Sequence, residues 1–177
     1  HRIINPKGSW IWQMLREEIG DKSFYKILKT LPTLGKELSL QELGDYFTLH
    51  SGKDLSYFFD QWLNRAGTPV INMDWSVNNA IVDSQRDNTK TESVLAQWEE
   101  DPKTVEITLT QEQSELYNLK LEIEVQLYYG PSIVQVIEMS EKQKVIEIKT
   151  EGRVRNVVLD PKRKMLMWRP SYGPKPK

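Results

Sequence analysis

The chain has no cysteine and only two histidines, His1 and His50, among 177 residues. The first absence excludes disulfides, thiolate nucleophiles and cysteine-built zinc sites. The second excludes the His-Glu-x-x-His helix of zinc hydrolases, because no two histidines lie close in sequence. Charge of one sign is lacking too. Lys and Arg total 24, Asp and Glu total 25, and the net charge is −1. A dedicated nucleic-acid binder shows a basic excess, so that class is disfavoured. No apolar run approaches the ~18 residues of a membrane-spanning helix. The first residues show no basic-then-apolar leader pattern, and the chain begins without Met, which reads as a processed or cut end. A Gly-rich phosphate loop, a Gly-x-Ser-x-Gly elbow, internal repeats and low-complexity tracts are all missing.

Aromatic residues are plentiful. Six Trp, seven Tyr and four Phe stand within a hydrophobic fraction of 38%. That composition supplies a packed core and is too apolar for disorder.

The first third reads as four helices. Ile11, Leu15 and Ile19 recur at helical spacing in Lys7–Ile19, with Trp10 and Met14 beside them. Gly20 suits a left-handed helix end, and Asp21 is placed to cap the next helix. Phe24, Ile27, Leu28 and Leu31 form the second stripe, and Pro32 stops it. Ser39-Leu40-Gln41-Glu42 is a capping box, followed by a buried face of Leu40, Leu43 and Phe47 with a stop at Gly52. Asp54 can cap a fourth helix whose stripe is Leu55, Phe58, Phe59, Trp62 and Leu63, closed by Gly67 and Pro69.

After Pro69 the period falls to two. Alternating apolar residues predict strands over Val105–Thr110, Leu119–Tyr128, Ile133–Ile137, Val145–Ile148, Val154–Leu159 and Met165–Trp168. One polar face per strand is the pattern of a small antiparallel sandwich. The fold class is therefore α+β: an N-terminal helical block over residues 1–67 and a β-sandwich over 68–177. A polar segment near 83–103 reads as an inserted loop. Pro161–Lys177 carries six basic residues, four prolines and no acid, and reads as an extended surface tail.

Few residues suggest chemistry. His50 stands at the end of the third helix, where a surface or capping role is the plainer reading. A Ser–His–Asp arrangement would have to combine it with Ser51 or Ser56. Glu17–Glu18 and Glu99–Glu100–Asp101 could in principle serve as acid–base pairs, but neighbours on a helix do not face each other. Trp10 and Trp62 lie on apolar stripes and read as core. Trp12 lies off its stripe, and Trp75, Trp98 and Trp168 are ambiguous between packing and a stacking platform.

Two stretches carry a resemblance. Lys7-Gly8-Ser9-Trp10, Met14-Leu15-Arg16, Ile19-Gly20-Asp21 and Phe24 resemble a segment of the M1 zinc aminopeptidases, the gluzincins. Ser51–Leu63, followed by Gly67-Thr68-Pro69, is similar to the end of that family's catalytic domain. Its matched positions are Gly52, Asp54, Phe58, Phe59, Trp62, Gly67 and Pro69, in addition to Lys7 and Gly8. Ile107–Gln111 and Leu159-Asp160-Pro161 resemble strands of the sandwich that follows it.

The resemblance implies a C-terminal portion of such a protein, with the zinc ligands in a missing upstream catalytic portion. This chain would bind no metal and not be catalytic alone. The parent would use zinc and cleave N-terminal peptide bonds of a peptide substrate. The family's transition-state Tyr, whose hydroxyl stabilises the oxyanion, falls at Asn5. Asn is shorter than a phenol, and Pro6 disfavours helical geometry at Asn5. The departure implies a weakened parent site or a shifted register at this end. The alternative from a different class is a non-catalytic scaffold or protein-interaction module, or a glycan binder using Trp75 or Trp98. Helices deprived of upstream partners would expose apolar surface, so self-association is expected through Trp10/Ile11/Leu15 or Phe58/Phe59/Trp62.

Overall fold

The computed structural model describes residues 4–79 and 103–169. They form an α+β structure: four helices, then six strands in antiparallel sheets. The chain divides into two compact units. One comprises residues up to Thr68 together with the segment from Arg163 onward; the other runs from Pro69 to Lys162.

In the first unit, α1 spans Ile4–Ile19, α2 Asp21–Thr30 and α3 Leu40–Ser51. α4 is one turn, Ser56–Phe59, and continues directly into a π-helical turn over Asp60–Asn64. The core is built from Ile11, Met14, Leu15, Ile19, Phe24, Ile27, Phe47, Leu55, Phe58 and Trp62, all buried. Fully burying one such side chain contributes roughly 2 kcal/mol, so the apolar stripes dominate the unit's stability. Trp12 is partly exposed, but its ring packs on Phe24 at 6.0 Å and Phe47 at 5.8 Å.

Two helix starts depart from expectation. Asp21 is not a cap; Gly20 occupies that position, without a side-chain hydrogen bond. Instead Arg16 donates two hydrogen bonds to the Asp21 carboxylate, at 2.7 and 3.0 Å, bridging the break between α1 and α2. At Pro32 the α-helix does stop as expected: α2 ends at Thr30, and a separate 3-10 turn follows over Leu31–Leu34. Leu40, the first residue of α3, is 62% exposed and does not join the buried face although it stands two turns before Phe47 on the same side of the helix. The capping box forms with both arms. The Glu42 N–H donates to Ser39 Oγ at 3.2 Å, and the Ser39 N–H donates to Glu42 Oε2 at 2.9 Å.

The helical faces expected to be exposed are mostly buried. Ile11 is 9% accessible, Leu15 1%, Phe58 4% and Trp62 2%. The short helices fold on one another, and the chain's later part returns to cover α1. Lys164 Nζ donates to Glu17 Oε2 at 3.0 Å, the Leu166 N–H donates to Met14 Sδ at 3.4 Å, and Leu166 and Met167 are buried. Met165–Trp168 is accordingly no strand, and this part of the basic segment is no surface tail.

In the second unit, β1 spans Ile71–Asn79, β2 Lys103–Gln111, β3 Leu119–Leu127, β4 Ile133–Met139, β5 Gln143–Thr150 and β6 Val154–Leu159. They form two three-stranded antiparallel sheets, ordered β1-β2-β5 and β4-β3-β6. Alternate residues of β2 (Val105, Ile107, Leu109) and of β3 (Leu119, Leu121, Ile123, Val125) are buried, as a half-buried strand requires. β1 was not foreseen. The segment read as an inserted loop lies outside the described residues, except Lys103, which begins β2.

One buried polar group organises an end of this unit. Gln111 Nε2 donates to the carbonyls of Tyr117 at 2.8 Å and Glu141 at 3.2 Å. Its Oε1 accepts from the Tyr117 N–H at 3.0 Å and from Gln113 Nε2 at 2.6 Å. Gln113 in turn accepts the Val70 N–H at 2.9 Å. One amide thus joins the approach to β1, the end of β2 and the β4–β5 turn.

Candidate functional site

The residues carrying the family resemblance in the helical unit converge on α1 and the α4–π segment. Asn5 lies in the first turn of α1. Asn5 is helical there, against the bias that Pro6 imposes on it. Pro6 falls in the first helical turn, where its missing N–H costs no hydrogen bond. The Asn5 side chain, matched to the family's oxyanion Tyr, lies outside the described part.

Two positions further on, Lys7 crosses to the far end of the unit. Its Nζ donates to the carbonyl of Arg65 at 3.0 Å and approaches that of Gly67 at 3.5 Å. Arg65 follows the π turn, so the ammonium sits where the turn's last carbonyls collect negative potential. Partial burial draws the Lys7 pKa below its ordinary value. Lys53 acts similarly on α1, donating to the Glu18 carbonyl. Neither lysine is available as a general base while so engaged.

The remaining motif positions are structural. Gly52 ends α3 with φ 69°, a left-handed geometry that glycine adopts without steric cost. Asp54 is not the cap of α4, a position that Leu55 takes without a side-chain hydrogen bond; its Oδ1 accepts from the Ser56 hydroxyl at 2.6 Å and the Ser56 N–H at 2.9 Å, which holds its carboxyl below the usual range. The Phe58 and Phe59 rings meet edge-on at 5.6 Å. A Cβ on Gly44 would lie 3.2 Å from the Phe59 ring, so α3 and α4 approach through that glycine. Trp62 fills the core, and Pro69 opens the second unit. Gly8 is the exception: a Cβ there would meet nothing within 4 Å.

The candidate catalytic groups do not assemble. His50 is exposed, its ring 4.2 Å from that of Tyr46. The Ser51 hydroxyl donates to the Thr48 carbonyl, and that of Ser56 to Asp54. Glu17 pairs with Lys164 and accepts from Gln13. Glu99–Glu100–Asp101 and Trp98 lie outside the described residues. Trp75 is partly exposed on the edge strand β1, and Trp168 is half-buried. Among the described residues no group of three His, Asp or Glu side chains could hold a metal ion. No described helix is long and apolar enough to cross a membrane.

Sequence reasoning missed the Lys7 clasp, the Arg16–Asp21 bridge and the Gln111 hub. Each is a polar side chain reaching a backbone or charge, across the chain for Lys7 and across a local break or turn for Arg16 and Gln111. The one prior signal was that Lys7 and Gln111 both stand in resemblance-carrying stretches.

Comparison with known proteins bears on what these stretches are. The chain is 36% identical over 93 residues to aminopeptidase N of Lactococcus lactis subsp. lactis, a match covering 48% of this chain and 10% of that protein. The chain resembles part of an M1-family aminopeptidase. This aminopeptidase-like chain also shares its fold with Legionella pneumophila aminopeptidase A, whose crystal structure was solved in complex with aspartic acid. The TM-score is 0.58 over 87% of this chain and 16% of that one, at 14% identity. The chain thus spans about a tenth of the length of the curated relative it matches. No family model matches it.

Proposed function

We propose that these 177 residues are a non-catalytic C-terminal portion of a longer M1-type zinc aminopeptidase. The helical unit would wall one side of the peptidase cleft, and the sandwich would brace it. The parent would hydrolyse N-terminal peptide bonds, with its zinc ligands in an upstream portion that is this chain's principal partner.

The observation that carries the reading is the clasp of Lys7 on the Arg65 and Gly67 carbonyls. It joins the Lys-Gly stretch to the Gly-Thr-Pro stretch, the two ends of the helical resemblance. The conspicuous side chains of that region are engaged in capping and packing, which supports a structural rather than a chemical role. With Asn5 in place of the family's Tyr, the parent would have a weakened oxyanion donor.

The test has two arms. The purified chain is dialysed with zinc and assayed on aminoacyl-chromogenic substrates; no stoichiometric zinc and no cleavage are expected. Tight zinc uptake or turnover by this chain would overturn the reading. The second arm is the coding sequence preceding His1. An intact His-Glu-x-x-His, with a Glu about one helix further on, supports the enzyme portion. Its loss would replace that reading with a scaffold derived from the same fold.

A further inference from the structure

Strand β4 stands at the edge of its sheet, paired only with β3 among the described residues. Its centre reads Ile133-Val134-Gln135-Val136-Ile137, with no charge, no proline and no glycine. Edge strands of natural proteins are usually blunted by a charge, a proline or a bulge, because their free N–H and C=O groups template further pairing. Here none of these interrupts the five residues. Val134 and Val136 lie opposite Glu124 and Glu122 of β3, on the sheet's outer face. They are 51% and 50% exposed, and Gln135 between them is exposed as well.

The five residues also read the same in both directions. An antiparallel partner that is a second copy of this strand, centred on Gln135, would set Val134 against the copy's Val136 and Ile133 against its Ile137. Both pairs are β-branched, the favoured cross-strand type. Glu138, the nearest charge, would face Ser132, so no like charges oppose each other. The chain's own sequence thus satisfies the two-fold rule that residue i meets j and j meets i.

We infer that β4 is a homotypic pairing edge, through which two copies of this chain join antiparallel about Gln135 into a continuous six-stranded sheet. The interface is closed, because both copies use the same edge. A single pair of strands buries less than the ~1,200 Å² of a stable standard interface. The dimer is therefore weak and concentration-dependent.

The test uses sedimentation velocity on the full chain in a concentration series reaching about 1 mM. The expected result is a monomer that shifts to dimer as concentration rises, with the shift lost in Val136→Lys. Val136 is exposed, so the variant should keep its far-UV circular dichroism and melting temperature. Cross-linking locates the contact, since the chain has no other cysteine. Gln135→Cys opposes its own copy and should form an interchain disulfide under mild oxidation. Glu138→Cys would lie about 20 Å from its copy along the strand and should not. A monomer throughout the series, a dimer that survives Val136→Lys, or equal cross-linking of the two cysteine variants would each overturn the inference.

Discussion

Lys7 Nζ lies 3.0 Å from the carbonyl oxygen of Arg65, fifty-eight residues along the chain. The contact binds the start of α1 to the end of the π turn. Replacing Lys7 with Met keeps the apolar stem and removes the donor, leaving both carbonyls to weaker partners. The site is partly exposed, so the loss should be about 1 kcal/mol. A urea titration followed by Trp fluorescence should show a lower midpoint with an unchanged slope. An unchanged midpoint would mean the clasp contributes nothing to stability.

Acid should loosen two turns over the same pH range. The Lys36 ammonium, with the Ser39 N–H and hydroxyl, holds the Glu42 carboxyl at about 2, against an ordinary 4.5. Lys144 and the Ser140 N–H hold Glu141 at about 2 likewise. Both folded pKa values are depressed, so both carboxylates stabilise the fold fully above the unfolded pKa. That contribution declines as pH falls from about 4.5 to about 2. Stability measured against pH should fall across this window. The fall should be shallower in Glu42→Ala, and shallower again in the double variant with Glu141→Ala. Identical slopes in all three proteins would show that other groups set the acid response.

Gly8 and Gly52 should respond to alanine with opposite signs. Gly8 lies within α1, and a Cβ there meets nothing within 4 Å, so Gly8→Ala should stabilise the chain by roughly 0.5–1 kcal/mol. Gly52 has φ 69°, so Gly52→Ala introduces left-handed strain and should destabilise by about 1 kcal/mol. Thermal unfolding of the two variants should move to either side of the parent protein. A destabilised Gly8→Ala would show that something in the folded chain closes on that position.

Gln111→Leu tests the hub of the second unit. Gln111 is fully buried, and the change strands the Tyr117 N–H and two carbonyls. Leaving buried groups unsatisfied at this scale should cost roughly 3 kcal/mol. Hydrogen exchange should lose protection first at Val70 and Tyr117, whose amides depend on the Gln111–Gln113 pair. Uniform loss across the sheet would point to general packing damage instead.

What could be read from the sequence follows from periodicity. Long stripes such as Ile11, Leu15 and Ile19 are decided by burial alone, and they fell where helical spacing put them. β1 carries a mixed signal. Ile71, Met73, Trp75 and Val77 alternate, yet Asn72, Asp74 and Asn78 between them suggest a turn, and Trp75 stays partly exposed at the sheet edge. Met165–Trp168 resembles a strand in sequence, but a short apolar run does not say whether it joins a ladder or lies on a helix. The π turn over Asp60–Asn64 was not legible, since Phe58, Phe59 and Trp62 fit regular helical spacing equally well. For the candidate site, motif positions were visible from residue types. Their contacts were not, because Lys7 and Arg65 carry no local signal that they meet.

The return of the chain to α1 bears on the order in which the protein can be built. Leu166 meets Met14 across 152 residues. The helices leave the ribosome before the sheet unit, yet the segment that covers their apolar face is synthesised only after that entire unit. Until then Met14 and its neighbours are without that cover. The Leu166–Met14 contact closes a loop of 152 residues. A nascent chain halted before Arg163 would present its helices half-finished, a state recognisable to chaperones and proteases.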